Sequence, residues 1–575
     1  MENLRERLIK SYKSGNFFEA IYNESIKETE SLGKQVALLH NEGHIDVVAE
    51  FLNLSNNGEE IDFFTTRSVF EEALPLINTS VLPVMECVKH LIDVAGNDMA
   101  ANMVLKPFIE YCEKDFNRSK AIIQIIENHS EEWIDFLAPA IIAGTNLRLQ
   151  EFLEIAIKLL KNKNLNIRQK VTFALGRINY CNKKEHIEVS FNALEYIITS
   201  EKDENIIAIA IKSLFSLYVA DNSLENKVTE LIQTSLHNQS NLTLYAVSEL
   251  FGFNTDNIPP NLLNVFIDSL KNASPSDRGI FKNIDRGLKH LKKSNKEDKV
   301  FSLLEHLLIQ NKSDISINTF ELLSRELRKN NTVLSQIATR WFLSKKVALC
   351  KSVLDIVRLG HGSDILFVAD YEQIQNQDSN THIYVARKAI GWLYTNPISC
   401  ISFIISLIDY ADQIEIEKMT YLLFDPMIIS YPGKVRKYLE DIKPNSSMKV
   451  QSVIENVLQL WESYLDGIRT ADVLPELLPS ENHKAMYSKS LSREMEKVFK
   501  ENQKDYFFHQ LFTKTILLYG RKSIFYSKYL NDEPNRMEIP LQNISHSMEF
   551  PRLDTLDPHG LDYTLRIFRI ENCKS

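Results

Sequence analysis

Between Gln150 and Ile178 the chain reads QEFLEIAIKLLKNKNLNIRQKVTFALGRI, two apolar stripes separated by a polar turn. Phe152, Ile155, Leu159 and Leu160 recur at helical spacing, and Lys161-Asn162-Lys163-Asn164 interrupts them. Ile167, Val171, Ala174, Leu175 and Ile178 then share one face of a second helix. Ala174-Leu175-Gly176 places small side chains where two helices must approach closely. A pair like this cannot bury its apolar face alone, so its recurrence is the test of what the chain folds into. Asn205-Ile206 followed by Ser213-Leu214 repeats the spacing 39 residues on, and Asn241-Leu242 with Glu249-Leu250 follows after 36 more. Looser copies begin near Ile280, Ile315 and Val347. A better one runs from Thr381-His382 to Ala389-Ile390-Gly391-Trp392-Leu393. With 17 Gly and 17 Pro in 575 residues, the chain is poor in turn-formers, which suits long helices with short connections.

Helix, polar turn, Asn166-Ile167-Arg168, then Ala174-Leu175-Gly176: this order resembles a HEAT/armadillo-type helical repeat, over about residues 130–425. The resemblance implies an all-α fold, an α-α superhelix, and a curved surface of the kind such solenoids use to hold partners. Upstream, Gly15-Asn16-Phe17-Phe18-Glu19-Ala20-Ile21 is similar to the turn and second helix of a tetratricopeptide unit, with a weaker echo at Gly43-His44-Ile45. Helical hairpins are expected there. The expected domains are N-terminal hairpins over 1–115, a HEAT-like solenoid over 116–480, and a small mixed α/β cap over 481–575. In that cap, helices near 480–502 and 506–519 precede short strands at Ile539–Leu541, Met548–Phe550 and Leu565–Ile570.

Charge and cysteines narrow the class of function. The formal net charge is −10, which argues against blanket coating of nucleic acid. The six cysteines are far apart with no C-x-x-C pair, which predicts reduced, mostly buried thiols. The longest apolar run, around Ile398 to Ile408, is too short to span a membrane. The first residues, Met1 to Arg7, are charged and do not read as a secretory signal, so a cytoplasmic protein is expected.

No phosphate-binding glycine loop, H-E-x-x-H or G-x-S-x-G motif occurs. Gly360-His361-Gly362-Ser363-Asp364 reads as a turn between helices. His546, Glu549, Asp554, Asp557, His559 and Asp562 follow no metal-ligand spacing, and Trp392 with Glu415 or Asp409 is too loose a set for a catalytic centre. No catalytic residue, metal or cofactor is therefore expected.

Two basic clusters stand out. Arg278, Lys282, Arg286, Lys289 and Lys293 step along one helix face at intervals of 4, 4, 3 and 4, opposite Ile280, Ile284, Leu288 and Leu291. Arg168, Lys170 and Arg177 belong to a second cluster about three repeats earlier. If corresponding faces line one surface, both could track a phosphate backbone. In the cap, Arg521, Arg536, Arg552, Arg566 and Arg569 could form an anion pocket, against the plainer reading of ion pairs that tie the cap down. The sequence reads as a non-enzymatic scaffold that binds a protein partner on its concave surface as a subunit of a larger complex. The alternative is a nucleic-acid-binding solenoid built on the two basic clusters, in DNA repair or antiviral defence. Neither reading involves a membrane or a small-molecule substrate.

Overall fold

The structure, a computed structural model, describes residues 4–27, 32–55, 61–237, 240–294, 296–310, 314–359, 364–375, 380–471, 479–504, 522–527, 535–540 and 549–571. Residues 1–329 and 330–575 form two compact units.

The first unit opens with α1 (Leu4–Lys13), α2 (Phe17–Ile26), α3 (Leu32–Asn41), α4 (Val47–Phe51), α5 (Phe63–Ala73), α6 (Val81–Ala95), α7 (Leu105–Cys112) and α8 (Phe116–Asn128). The turns of the first two hairpins need positive φ, and glycine supplies it at Gly15 (φ 78°) and Gly43 (φ 77°). A single turn, α9 (Ser130–Trp133), leads into α10 (Leu137–Leu147).

Five successive pairs follow: α11 (Leu149–Leu159) with α12 (Leu165–Leu175), α13 (Lys184–Ser200) with α14 (Glu204–Ala220), α15 (Glu225–Ser235) with α16 (Asn241–Phe253), α17 (Pro260–Leu270) with α18 (Arg278–Lys293), and α19 (Glu297–Gln310) with α20 (Glu321–Arg328). The second helices pack one against the next, α12 on α14, α14 on α16, α16 on α18 and α18 on α20, and the first helices form a parallel row. This is a helical-repeat solenoid. Local chemistry sets the helix starts: the side chains of Asn164, Asp203 and Ser240 accept backbone N–H groups of α12, α14 and α16. Ile167, Val171, Ala174, Leu175 and Ile178 are all buried, as their spacing requires. A Cβ on Gly176 would lie 2.6 Å from Ser213 Cα in α14, so the small residue at this position permits contact between repeats.

The second unit continues the pairing with α21 (Asn331–Leu343) and α22 (Val347–Arg358). The first helix of the next pair is replaced by an extended stretch over 364–370 and one turn, α23 (Tyr371–Ile374), before α24 (Thr381–Leu393). Then come α25 (Pro397–Ile408) with α26 (Gln413–Leu422), and α27 (Pro432–Ile442) with α28 (Met448–Thr470). The extended stretch has no helix to satisfy its amides. Four hydroxyls do so instead: Phe367 N donates to Ser402 Oγ (2.9 Å), Val368 N to Ser335 Oγ (3.1 Å), Ala369 N to Ser406 Oγ (2.8 Å) and Asp370 N to Thr339 Oγ1 (3.0 Å).

The C-terminal part departs from expectation. A 24-residue helix, α29 (Glu481–Lys504), occupies the first expected helical stretch; the second, 506–519, lies outside the described residues. β1 (Lys522–Ser527) and β2 (Asn535–Pro540) form an antiparallel ribbon with Lys522 opposite Pro540. The strands expected around 548–550 and 565–570 are corrected: Met548 is outside the described residues, Glu549 and Phe550 form no strand, and 565–570 is helical. After α30 (Leu553–Leu556), α31 (Pro558–Ile570) starts on Asp557, whose carboxylate accepts Gly560 N at 3.0 Å, with Pro558 in its first turn. Leu561, Leu565 and Phe568 fall on one face at helical intervals, and α31 packs on α24. A mixed α/β cap is therefore not what closes these helices; a helix returning onto α24 covers them. Among the described residues, no helix is long and apolar enough to cross a membrane.

Candidate functional site

In the first unit, the second helices α12, α14, α16, α18 and α20 each bury one side against the first helices and turn another outward. On α16 the outward positions are Leu242, Tyr245, Glu249 and Phe253; the three apolar ones are 42%, 44% and 62% exposed. On α18 they are Arg278, Lys282, Arg286, Lys289 and Lys293, the stripe expected from sequence. Fifteen steps of 1.5 Å from Arg278 to Lys293 make that stripe about 22 Å long. None of the five forms an ion pair with a described residue. Arg286 lies over the Phe253 ring, Cζ 4.0 Å from the centroid, and so couples the cations of α18 to the aromatic edge of α16.

Between α14 and α16 lies a shallow groove of about 370 Å³ lined by Arg177, Lys212, Val219, Glu249 and Phe253. Lys212 and Glu249 are ion-paired across it. Beyond α18, Glu326 pairs with Lys329 at 3.0 Å. The hydrogen bond from Lys329 outweighs the opposing effect of burial and, with Lys293 and Lys289 nearby, holds the Glu326 carboxyl below its ordinary range.

The earlier basic cluster is arranged differently. Arg168 Nε donates to Glu201 at 2.9 Å, and its Nη1 donates to the carbonyls of Asn162 and Lys163. Lys170 pairs with Asp135 at 2.6 Å, and Arg177 sits over Phe173. Arg168 thus serves as a staple between repeats, while Arg177 reaches the groove. The sequence reading missed Lys212, Tyr245 and Phe253. The available signal was the outward position that recurs once per second helix, which a search for charge alone passes over.

In the second unit one of the second helices is occupied. Lys388 of α24, 2% exposed, donates its ammonium to the carbonyls of Arg569 (2.8 Å) and Glu571 (2.7 Å) at the C-terminal end of α31. Arg569 Nε donates to the Gly391 carbonyl at 2.5 Å, and its guanidinium lies over Trp392. A Cβ on Gly391 would meet Phe568 Cβ at 3.1 Å, so this glycine admits the returning helix. Glu549 accepts the amides of Gly433 (2.7 Å) and Lys434 (2.8 Å) and caps α27.

The arginines expected to form an anion pocket are dispersed. Arg521 lies outside the described residues, and Arg536 lies on β2. Arg552 sits over Trp461, Arg566 pairs with Asp562 at 2.9 Å, and Arg569 is engaged with α24. Of the other groups weighed, His546 and residues 360–363 are outside the described residues, and Asp557 and Glu549 cap helices. Glu415 belongs to the capping box of α26 and accepts from His382. Among the described residues, no group of three or more potential ligands could hold a metal ion. Of the five described cysteines, all unbridged, four are buried and Cys181 is exposed.

No protein-family model matches the chain, and comparison with curated proteins gives no match. Solved structures that align with it include an engineered protein (12% identity, 80% of this chain and 98% of that one, TM-score 0.18). A second comes from work on a phosphorylation switch controlling the interaction between cadherin and beta-catenin (14%, 80% and 99%, TM-score 0.26). A third is a circular tandem repeat protein (13%, 79% and 96%, TM-score 0.16). Scores this low carry no argument; the solenoid assignment rests on the helix packing itself.

Proposed function

We propose that the chain is a non-enzymatic, HEAT-like scaffold that holds a protein partner on the row of second helices, as a subunit of a cytoplasmic assembly. The observation that supports this reading is the contrast between the second helices of the two units. In the second unit α24 receives α31, with Leu561 and Leu565 buried in the contact. In the first unit the corresponding helices present Leu242, Tyr245 and Phe253 to solvent. A helix-pair array is built to expose such a surface, and in the second unit the chain already uses a second helix, α24, to bind a helix of its own. Within this reading, residues 1–115 are N-terminal hairpins, 116–480 the HEAT-like solenoid and 481–575 a C-terminal segment.

The test is affinity capture of the tagged full-length protein from its native host, with and without nuclease, read by mass spectrometry. A defined partner that survives nuclease is the expected result. Recovery dominated by nucleic acid, with proteins lost on digestion, overturns it. That second outcome would favour the alternative of a nucleic-acid-binding solenoid, for which the observation is the cation stripe on α18.

A further inference from the structure

The outward face of α16 and α18 has a definite chemistry, and it selects among the partners a scaffold can hold. Three features are juxtaposed. The apolar side chains Leu242, Tyr245 and Phe253 run along α16 at steps of 3 and 8. The groove between α14 and α16 continues that apolar strip to Val219. Alongside, Arg278, Lys282, Arg286, Lys289 and Lys293 form a stripe with no ion pair among the described residues. Of the carboxylates near it, Glu249 is taken by Lys212, Glu321 by Arg325 and Glu326 by Lys329, while Asp314 lines a hollow with Arg278 and Lys282 without forming an ion pair to either. Asp285 is turned inward, where it accepts the amides of Leu322 and Leu323 at 2.9 Å each.

A row of cations without ion pairs among the described residues, on a chain of net charge −10, marks a local, not a general, demand for negative charge. A phosphate backbone would use the cations and leave the apolar strip in water. Of the aromatic rings beside the stripe, Phe253 is already covered by Arg286 and Tyr245 stands alone against Gly279 at the start of α18, whereas single strands are held on successive stacking platforms. An amphipathic helix uses both features, its apolar side on α16 and its carboxylates on α18. The contact between α24 and α31 shows a helix docked this way in the second unit: Leu561, Leu565 and Phe568 face α24 while Lys388 of α24 meets the backbone carbonyls at the C-terminal end of α31.

We propose that the face formed by α16 and α18, with the groove toward α14, is the docking surface for an acidic amphipathic helix of a partner protein. This rests on the scaffold reading above and adds to it the chemistry of the partner.

The test uses the full-length protein and three fluorescent probes, read by anisotropy at low and at moderate salt. The first is an 18-residue helix-forming peptide with leucines on one face and glutamates on the other. The second is the same peptide with lysine replacing every glutamate, and the third is a 20-residue oligothymidylate. The acidic peptide is expected to bind saturably, and the lysine peptide is not. In Arg278→Glu/Lys282→Glu, two exposed positions, its affinity is expected to fall by about tenfold or more, the size of two lost charge contacts. Phe253→Ala should weaken it severalfold even at moderate salt, where a purely ionic contact fades. An unchanged thermal melt shows that each variant is folded. Equal binding of both peptides, or no binding of the acidic one, overturns the proposal. So does oligothymidylate binding that is lost in the double variant and that the acidic peptide does not compete. Capture from the host with the same double variant separates the two levels. A partner retained by it leaves the scaffold reading standing and removes this face, whereas the absence of any protein partner removes both.

Discussion

Lys388 donates to the carbonyls of Arg569 and Glu571, 181 and 183 residues further along the chain, and so closes the free end of α31 from within α24. Burial lowers the tendency of this ammonium to hold its proton, with the nearby Cys350 and Glu571 acting the other way. Replacing Lys388 with Met keeps the length and removes the donor, leaving the last carbonyls of α31 without their partner. A penalty of about 1–3 kcal/mol on the docking is expected. Hydrogen exchange over 558–571 reads it: protection there should fall while that of α25 and α27 is kept. Uniform loss across the unit would show that Lys388 supports the whole unit rather than α31.

Gly176 and Gly391 occupy echoing sequence positions but have different neighbours. A Cβ on Gly176 would stand 2.6 Å from the backbone of Ser213, a contact that only a shift of α14 relieves. Gly176→Ala should therefore destabilise the first unit by about 1–3 kcal/mol. Gly391→Val should leave its own repeat folded and drive α31 off, because its clash is with Phe568 and Arg569. Thermal melts and limited proteolysis distinguish the two. A melting shift in G391V as large as that in G176A would contradict this division.

What was legible in the sequence follows from that division. The polar turn Lys161–Asn164 and apolar steps such as Ile167 to Val171 act within one turn or two, and they marked α11 and α12. Gly176 was read correctly because its neighbour lies in the next repeat. Leu565 to Ile570 was misread because Leu-Arg-Ile-Phe-Arg-Ile suits a strand by composition, while the contact that decides it, Phe568 with Gly391, is far away in sequence. Arg168 showed its charge but not its role, since Glu201 reaches it only after α11 has packed on α13 and α12 on α14. At the candidate face, the cations of α18 are visible as spacing, whereas Tyr245 and Phe253 are large apolar side chains whose type does not tell an exposed position from a core one.

The Arg168–Glu201 contact carries a pH dependence. Burial pushes the Glu201 carboxyl up, but the amides of Lys202 and Asp203 and the Arg168 guanidinium outweigh it, and the net direction is down. A carboxyl whose folded value is depressed contributes stability above its unfolded value, and that contribution is lost as the pH falls through the folded one. The first unit should therefore lose stability on acidification below about pH 4.5. Glu201→Gln should flatten part of that loss and be less stable than the parent at neutral pH. Chemical denaturation at pH 7 and pH 4 checks both. A parent and variant that lose stability in parallel would place the acid sensitivity elsewhere.

The extended stretch 364–370 takes the place of a helix, and its amides depend on hydroxyls from two flanking helices, Ser335 and Thr339 on α21 and Ser402 and Ser406 on α25. Each pair is spaced by four residues, so one helix face offers two hydroxyls at the spacing of alternate amides of an extended chain. Removing one hydroxyl leaves a buried N–H without an acceptor at a cost of about 1–3 kcal/mol. Ser402→Ala tests the better buried site, because Phe367 and Ser402 are both buried. Ser402→Ala/Thr339→Val removes one acceptor from each side and should expose 364–370 to protease before the flanking helices unfold. Conversely, Ser402→Thr keeps the hydroxyl and should retain most of the protection. Cleavage at equal rates in the threonine and alanine variants would mean that packing volume at this position, rather than the hydrogen bond to the Phe367 amide, holds the stretch in place.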